Sequence, residues 1–114
     1  MSWNESEILA ARRVIGDAAR DMLAGTLSYI EGSRKIAAAR FAARLEDDAD
    51  LLLFVGIASE TEALPIGAER VHWQAAALEA LEPRIRESEA WALGIGERHC
   101  RDLVERLRSV QSQS

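Results

Sequence analysis

The longest apolar run of this chain is LLLFVGIA, residues 51–58. Its composition suits a buried strand as well as a buried helix, because periodicity cannot separate the two in so short a run. The chain has no second strand-like segment to pair with it, and a lone strand cannot satisfy its backbone hydrogen bonds. The run therefore predicts a helix, capped by Asp47 or Asp48, and with it an all-α fold.

Alanine-rich amphipathic segments flank this run on both sides. Twenty of the 114 residues are alanine, which has the highest helix propensity of all residues. Hydrophobic residues make up 48% of the chain, and a chain of this length can bury one core. We expect one domain over residues 1–114, a compact bundle of four to five helices, with a tail that frays from about residue 109.

Apolar residues at helical spacing delimit the two helices expected before this run. The first begins at a cap on Ser6 and ends at the weak point Gly25. The second extends from about Leu27 to Leu45 and carries Phe41 on its apolar stripe.

Two further helices are expected after the run. Residues 73–81 have the pattern of a short helix, and Pro83 suits the first turn of another. This last helix continues across a weak point at Gly94 and Gly96.

The acidic residues of the chain are concentrated in one window. The net charge is −5, from 19 acidic and 14 basic residues. Residues 45–69 contain seven acidic residues and no basic one: Glu46, Asp47, Asp48, Asp50, Glu60, Glu62 and Glu69. A chain without a basic patch has no electrostatic footprint for phosphates, so neither nucleic acid nor an anionic membrane is expected as a partner. The window is expected to attract a basic protein surface instead.

No pattern typical of a catalytic or cofactor site is present. Cys100 is the only cysteine, which excludes an internal disulfide and a CxxC site, and we expect a buried, inert thiol. Phosphate loops, GxSxG and dinucleotide fingerprints are absent. A weak alternative gathers four side chains around a metal: Glu60, Glu62, Glu69 and His72. We therefore expect no enzymatic activity, no cofactor and no metal.

The N-terminus and the hydropathy of the chain bear on its location. Residues 1–7, MSWNESE, lack the basic region and apolar core of a signal peptide. The longest apolar run has only eight residues, far fewer than a membrane span needs. A cytoplasmic location is expected.

Two polar blocks interrupt the amphipathic pattern. The first is YIEGSRK, residues 29–35, and the second is SETEALPIGAER, residues 59–70. The second block breaks the helical pattern at Pro65 and Gly67 while it concentrates charge, so a polar turn is expected after the third helix.

Arg70 is the residue expected to join the two blocks. If a carboxylate of Glu31, Glu60 or Glu62 holds its guanidinium, the turn is pinned to the helices. The alternative is that the same side chains bind a ligand or a partner. The candidate residues for a clasp or a binding site are Glu31, Arg34, Ser59, Glu60, Glu62, Arg70 and Trp73.

Three tryptophans are the large aromatic anchors of a chain with only 5% aromatic residues. Trp73 follows the polar turn and is expected to pack against it. Trp91 lies next to the apolar stripe of the last helix and is expected to be partly exposed. Trp3 is the third.

The two blocks resemble those of a family of small, all-helical bacterial proteins, a domain of unknown function. The resemblance extends over residues 12–107. In the first block the matching positions are Gly25, Ser28, Ile30, Glu31, Gly32 and Arg34. In the second block they are Ser59, Glu60, Thr61, Glu62, Leu64, Pro65, Ile66, Gly67, Arg70 and Trp73. Cys100 and Leu103 resemble the family's C-terminal signature, whereas Ala63 stands where the family pattern has a polar residue or histidine.

The resemblance implies no established activity. It does imply an association with toxins, because genes of the family occur near genes for secreted toxins. The leading hypothesis is a non-enzymatic protein-interaction module, in its specific form an immunity protein that masks a basic toxin. The alternative is a module that self-associates or binds a small ligand at a polar site near Glu31, Glu60 and Arg70. A metal-dependent hydrolase that uses the same carboxylates is a third hypothesis.

Overall fold

The computed structural model describes the backbone of residues 4–112 and the side chains of residues 4–108. The elements follow in the order α1 (Glu5–Ala24), α2 (Tyr29–Ala39), α3 (Ala49–Glu60), a 3₁₀ helix (Gly67–His72) and α4 (Ala75–Ser112). No strand occurs within residues 4–112. The predicted all-α bundle is thereby confirmed, including the helical state of the LLLFVGIA run. Trp3 lies outside the described residues, and the fraying expected from about residue 109 stays a prediction.

The core lies where the first three helices pack against one another and against α4. All three contact α4, and α2 also packs on both α1 and α3. The largest fully buried apolar side chains come from every one of these helices: Ile15, Met22, Ile30, Ile36, Leu51, Phe54, Ile57 and Leu103. One face of each helix is therefore apolar, and burial of these faces supplies the main driving force for the fold.

Two of the predicted helix ends are confirmed. Gly25 ends α1, and its backbone N–H donates to the carbonyl of Met22 at 3.2 Å. Asp48 caps α3, because its side chain accepts a hydrogen bond from the backbone N–H of Asp50 at 3.0 Å. Both contacts satisfy backbone groups that a helix end would otherwise leave without partners.

Two other boundaries were predicted wrongly. Helix α1 begins at Glu5, with Asn4 rather than Ser6 at the cap position. Helix α2 ends at Ala39, and Phe41, placed by the sequence on its apolar stripe, is 59% exposed.

The early end of α2 has a tertiary cause. Residues 40–47 form turns, which the Arg12 side chain of α1 ties down by donating a hydrogen bond to the Ala43 carbonyl at 2.9 Å. Arg44 there has φ of 58°, which is incompatible with a continuing helix. Ala43 is fully buried, so this turn forms part of the core in place of another helical turn.

The sequence predicted that Pro83 lies in the first turn of a helix. The structure places it inside one. Helix α4 is a single element of 38 residues that also continues through Gly94 and Gly96. Proline removes the hydrogen bond to the carbonyl four residues earlier, here that of Glu79. Because Pro83 and Glu79 are both exposed, water can hydrogen-bond that carbonyl, and the helix tolerates the proline.

Gly32 of α2 lies in close contact with α1. A Cβ atom added at Gly32 would overlap Sδ and Cγ of Met22, a fully buried side chain of α1. The glycine is therefore required by packing, although glycine within a helix costs about 1 kcal/mol relative to alanine.

We predict that Gly32→Ala lowers the free energy of unfolding by about 1–3 kcal/mol, because the added methyl group overpacks the contact with Met22. Gly94→Ala is the matched control, since nothing lies within 4 Å of a Cβ atom added there. The control should stabilise the protein by about 0.5–1 kcal/mol. Urea denaturation measures both, and equal effects of the two substitutions would contradict the close approach of α1 and α2.

Candidate functional site

The two polar blocks meet through Arg34. One guanidinium nitrogen of Arg34, Nη2, donates to the carbonyls of Thr61 and Leu64, at 2.6 and 3.0 Å. The other, Nη1, donates to the carboxylate of Glu69 at 3.0 Å. A single α2 side chain thus holds the end of α3, the turn and the 3₁₀ helix. We call these four residues the Arg34 clasp.

The chemistry of a helix C-terminus explains why an arginine is suited to this position. The last carbonyls of α3 have no partners within the helix, and the end of the helix carries partial negative charge. A planar guanidinium offers five donors in a fixed fork and stays protonated, so it can satisfy several acceptors at once. The chain after α3 buries Thr61, Leu64 and Ile66 beneath the clasp.

Glu31 and Gly67 form a second contact between the blocks. Gly67 has φ of 63°, a left-handed conformation that favours glycine. A Cβ atom at Gly67 would overlap the carboxylate of Glu31, so this carboxylate lies directly against the start of the 3₁₀ helix. The backbone N–H of Glu31 donates to Ser28 Oγ at 3.0 Å, which caps α2. Glu31 is thus fixed at its backbone and close to the turn.

Arg70 does not join the two blocks, contrary to the sequence-based expectation. Its guanidinium pairs with Glu82 of α4 at 3.3 Å, and the two side chains are 40% and 44% exposed. Exposed pairs of this kind contribute about 0–1 kcal/mol. The basic residue of the clasp is Arg34, which sequence reasoning had included among the candidates without giving it this role.

The acidic candidates of the second block face solvent. Ser59, Glu60 and Glu62 are all exposed, because Thr61 and Leu64 occupy the buried positions of this segment. Ser59 and Glu62 line a shallow groove that also borders Arg34. Glu60 and Glu62 have no ion-pair partner among the side chains of residues 4–108. No hydrogen bond or ion pair joins Glu31, Glu60 and Arg70 among the described side chains, and a polar site near them stays a prediction.

A polar cluster that sequence reasoning missed lies at the start of α3. The Arg106 guanidinium donates to Asp50 Oδ2 at 2.7 Å and to Asp48 Oδ1 at 3.0 Å, with a further contact to Asp48 Oδ2. His99 Nδ1 lies 2.8 Å from Asp50 Oδ1. His99 and Arg106 are two helical turns apart, which places both on one face of α4. This spacing is the feature of the sequence that could have indicated the cluster.

This cluster changes the electrostatics predicted for the acidic window. The hydrogen bond from Arg106 holds the pKa of the Asp48 carboxyl below its ordinary value, although burial acts in the opposite direction. The same contact raises the pKa of Arg106, which therefore stays protonated. The single positive charge of Arg106 thus compensates part of the negative charge of Asp48 and Asp50 within the fold. The window therefore offers a partner less negative charge than the sequence suggested.

The described side chains contain one group with metal-ligand spacing, and it differs from the one weighed from sequence. Asp50, His99 and Asp102 can bring three ligand atoms within 4.8 Å of one another. Both carboxylate oxygens of Asp50 already contact His99 and Arg106. A cation would have to compete with this guanidinium, so the arrangement is that of an ionic tie between α3 and α4.

Cys100 is buried, as predicted, and does not form a nucleophile pair with His99. Burial raises the pKa of the Cys100 thiol to about 12, so the thiol stays protonated at neutral pH. Burial, followed by the effect of Cys100, likewise raises the pKa of the neighbouring Tyr29 to about 12. The His99 ring instead contacts Asp50.

An exposed apolar segment lies at the start of α4. We call residues 71–84 the arm, because none of them is buried and Ile85 is the first buried residue that follows. Val71 is 80% exposed and Trp73 is 40% exposed. The packing of Trp73 against the turn stays a prediction, whereas the partial exposure predicted for Trp91 is confirmed at 43%.

Comparison with protein-family models, with curated proteins and with solved structures gives no match to this chain. Among the described residues, no helix combines the length and the apolar character needed to cross a membrane.

We predict that Arg34→Ala lowers the free energy of unfolding by about 2–4 kcal/mol, because the carbonyls of Thr61 and Leu64 lose a charged donor. Lys35→Ala, at the exposed neighbouring position, should change it by less than about 0.5 kcal/mol. Arg70→Ala should cost at most about 1 kcal/mol. Urea denaturation of the three variants ranks them, and a larger loss for Arg70→Ala than for Arg34→Ala would contradict the clasp.

We predict that Arg106→Gln weakens the dependence of stability on acid pH. The folded-state pKa of Asp48 is lowered from 3.8, so its stabilising effect is present above that value and is lost as the pH falls through the folded pKa. The wild type should lose stability on acidification more steeply than the variant, which is already less stable at neutral pH by about 1 kcal/mol. Arg101→Gln is the control on the exposed face of α4. Identical acid profiles of Arg106→Gln and the wild type, from urea denaturation across pH, would refute the tie.

Proposed function

We propose that this protein is a non-enzymatic protein-interaction module and that the arm is its docking surface. The observation that carries the proposal is the exposure of an apolar segment which the rest of the described chain leaves uncovered. Val71 and Trp73 stand at its tip, and the half-buried Leu78 follows on the first turn of α4, whereas Leu81 already packs against the core. Covering such side chains is favourable by about 25 cal/mol per Å² of apolar surface removed from water.

The composition of the arm fits a protein partner better than a small substrate. Tryptophan is among the residues that contribute most to protein–protein binding, and Trp73 presents part of its ring at the arm's tip. The alanines at 75, 76, 77 and 80 give a helix surface that another helix can approach closely. Other polar groups of the described chain are engaged in the Arg34 clasp and in the tie made by Arg106.

The specific form of the proposal is an immunity protein, located in the cytoplasm, that masks a basic toxin. Its support is the acidic character of the chain, the resemblance of its two polar blocks to the bacterial family, and the exposure of Glu60 and Glu62. These two carboxylates remain available to a cationic surface, whereas the charge of Asp48 and Asp50 is partly compensated by Arg106. Electrostatic attraction would then raise the association rate, and the apolar arm would set the lifetime of the complex.

A ligand-binding module is the second candidate, and one groove favours it. The groove has a volume of about 370 Å³ and lies between the end of α1 and the middle of α4. Its apolar lining includes Met22, Leu27 and Leu93, with Glu89 as the charged group. This size is at the lower end of the range of small-molecule sites. The groove is separate from the polar site near Glu31, Glu60 and Arg70 that the sequence suggested.

The arm is tested with the product of the neighbouring gene as the binding partner. We expect Trp73→Ser to weaken binding by about tenfold or more through faster dissociation. Leu52→Ser on α3, which removes a similarly exposed apolar side chain elsewhere, should leave binding unchanged. The double variant Glu60→Gln/Glu62→Gln should slow association at low salt and have little effect at high salt.

Surface plasmon resonance measures these rates. Equal effects of Trp73→Ser and Leu52→Ser would argue against the arm as the docking surface. A neighbouring gene that encodes a metabolic enzyme, and no secreted toxin, would argue against immunity while leaving the interaction module open to other partners.

A further inference from the structure

The arm and the middle of α4 share one lateral row of side chains. Residues three and four apart lie one above the other on a helix. One such row beside the buried face consists of Ala75, Glu79, Glu82, Arg86, Ala90 and Leu93. All of them are exposed except Glu82, which is half-buried and pairs with Arg70.

Four of the six positions of this row exchange with one another when the row is reversed. A two-fold axis between residues 82 and 83 relates Glu79 to Arg86, an acidic residue to a basic one, and it relates Ala75 to Ala90. In an antiparallel pair of such helices, each Glu79 would therefore face the Arg86 of the other copy. This is the condition for an isologous interface, in which residue i contacts j and j contacts i.

Glu79 and Arg86 are suited to pair between copies because neither pairs within its own chain. Both side chains are exposed, and neither has an ion-pair partner among the described side chains of residues 4–108. They are seven residues apart, about 10 Å along the axis, so they cannot reach each other within one helix. Facing charges of opposite sign at two positions fix the register of a helix pair.

The same reversal brings the apolar tip of the arm to the apolar groove. Ala75, the first residue of α4, corresponds to Ala90, which lines the groove, and the exposed Val71 and Trp73 closely precede that end of the helix. Leu93 is 46% exposed and lines the groove of about 370 Å³ together with Met22 and Leu27. The tip of each arm would therefore lie at the groove of the other copy, where both apolar surfaces are removed from water.

We infer that the arm binds the arm of a second copy of this chain, antiparallel, about a two-fold axis at residues 82–83. The inference rests on the proposed function, since it uses the same docking surface, for which a second copy and the toxin would compete. Glu79 pairs with the partner's Arg86, Arg86 pairs with the partner's Glu79, and the apolar tips fill the two grooves. The charge pairs set the register, and the apolar ends supply most of the affinity.

Charge reversal on purified protein tests the pairing. Glu79→Arg makes both members of each facing pair arginines, and Arg86→Glu makes both members glutamates. Each single variant should dimerise at least about tenfold more weakly than the wild type, because like charges then face each other. An equimolar mixture of the two variants should form a heterodimer. In one facing pair, the arginine introduced at position 79 meets the glutamate introduced at position 86. In the other, the native Arg86 of the first variant meets the native Glu79 of the second. The double variant should dimerise like the wild type.

Two controls carry the same change of charge on the same helix but outside the row. Glu87→Arg matches Glu79→Arg, and Arg84→Glu matches Arg86→Glu; both positions are exposed. Neither control should change the dimer dissociation constant by more than about twofold. Sedimentation equilibrium over a range of protein concentrations measures all of these constants, and circular dichroism verifies that each variant is folded.

Three outcomes would overturn the inference: a wild type that is monomeric at high micromolar concentration, single variants that dimerise like the controls, or a mixture that stays monomeric. The proposed function fails on different evidence. If Trp73→Ser weakens self-association while the charge variants do not, the antiparallel pairing is wrong and the arm remains the docking surface. If Trp73→Ser changes neither self-association nor binding to the neighbouring gene's product, the docking surface itself is refuted.

Discussion

The turn that follows α3 depends on one guanidinium. Arg34 is the donor to two turn carbonyls, those of Thr61 and Leu64, and it also pairs with Glu69 at the start of the 3₁₀ helix. These carbonyls belong to a segment that leaves a helix and reverses direction, so no regular hydrogen-bond ladder can satisfy them. The position of the 3₁₀ helix, and therefore the point at which α4 begins, follows from this contact.

A second charged contact fixes the other end of α3. Arg106 joins the carboxylates of Asp48 and Asp50 to α4, while Asp48 also caps the helix. The two ends of the apolar helix α3 are thus held by arginines from two different helices. This arrangement has an electrostatic consequence. Part of the acidic charge counted in residues 45–69 is compensated internally, and the carboxylates left to attract a partner include Glu60 and Glu62.

The contacts that hold the fold together and the surface that is left exposed are separate. Four residues in or beside the two polar blocks have structural roles: Ser28 caps α2, Gly32 packs on Met22, Arg34 holds the turn, and Gly67 lies against Glu31. The arm contributes little to the buried core and carries exposed apolar side chains. The later residues of α4 belong to the core and hold the helix in place. A rigid helix with an uncovered apolar end is a suitable platform for a protein partner, because little conformational entropy is lost when it binds.

The sequence by itself determined the all-α class, the ends of α1 and α3 at Gly25 and Asp48, the polar turn after the third helix and the burial of Cys100. These features depend on local propensity, capping and hydropathy, which act between residues close in the chain. Tertiary structure alone decided that α2 ends at Ala39, that α4 continues through Pro83, and that Arg34 rather than Arg70 holds the turn. Each of these outcomes depends on a contact or an exposure between residues far apart in sequence, such as the 27 positions between Arg34 and Thr61. A single sequence gives the number of possible carboxylate–arginine pairs but not which pair meets, because that is set by how the helices pack.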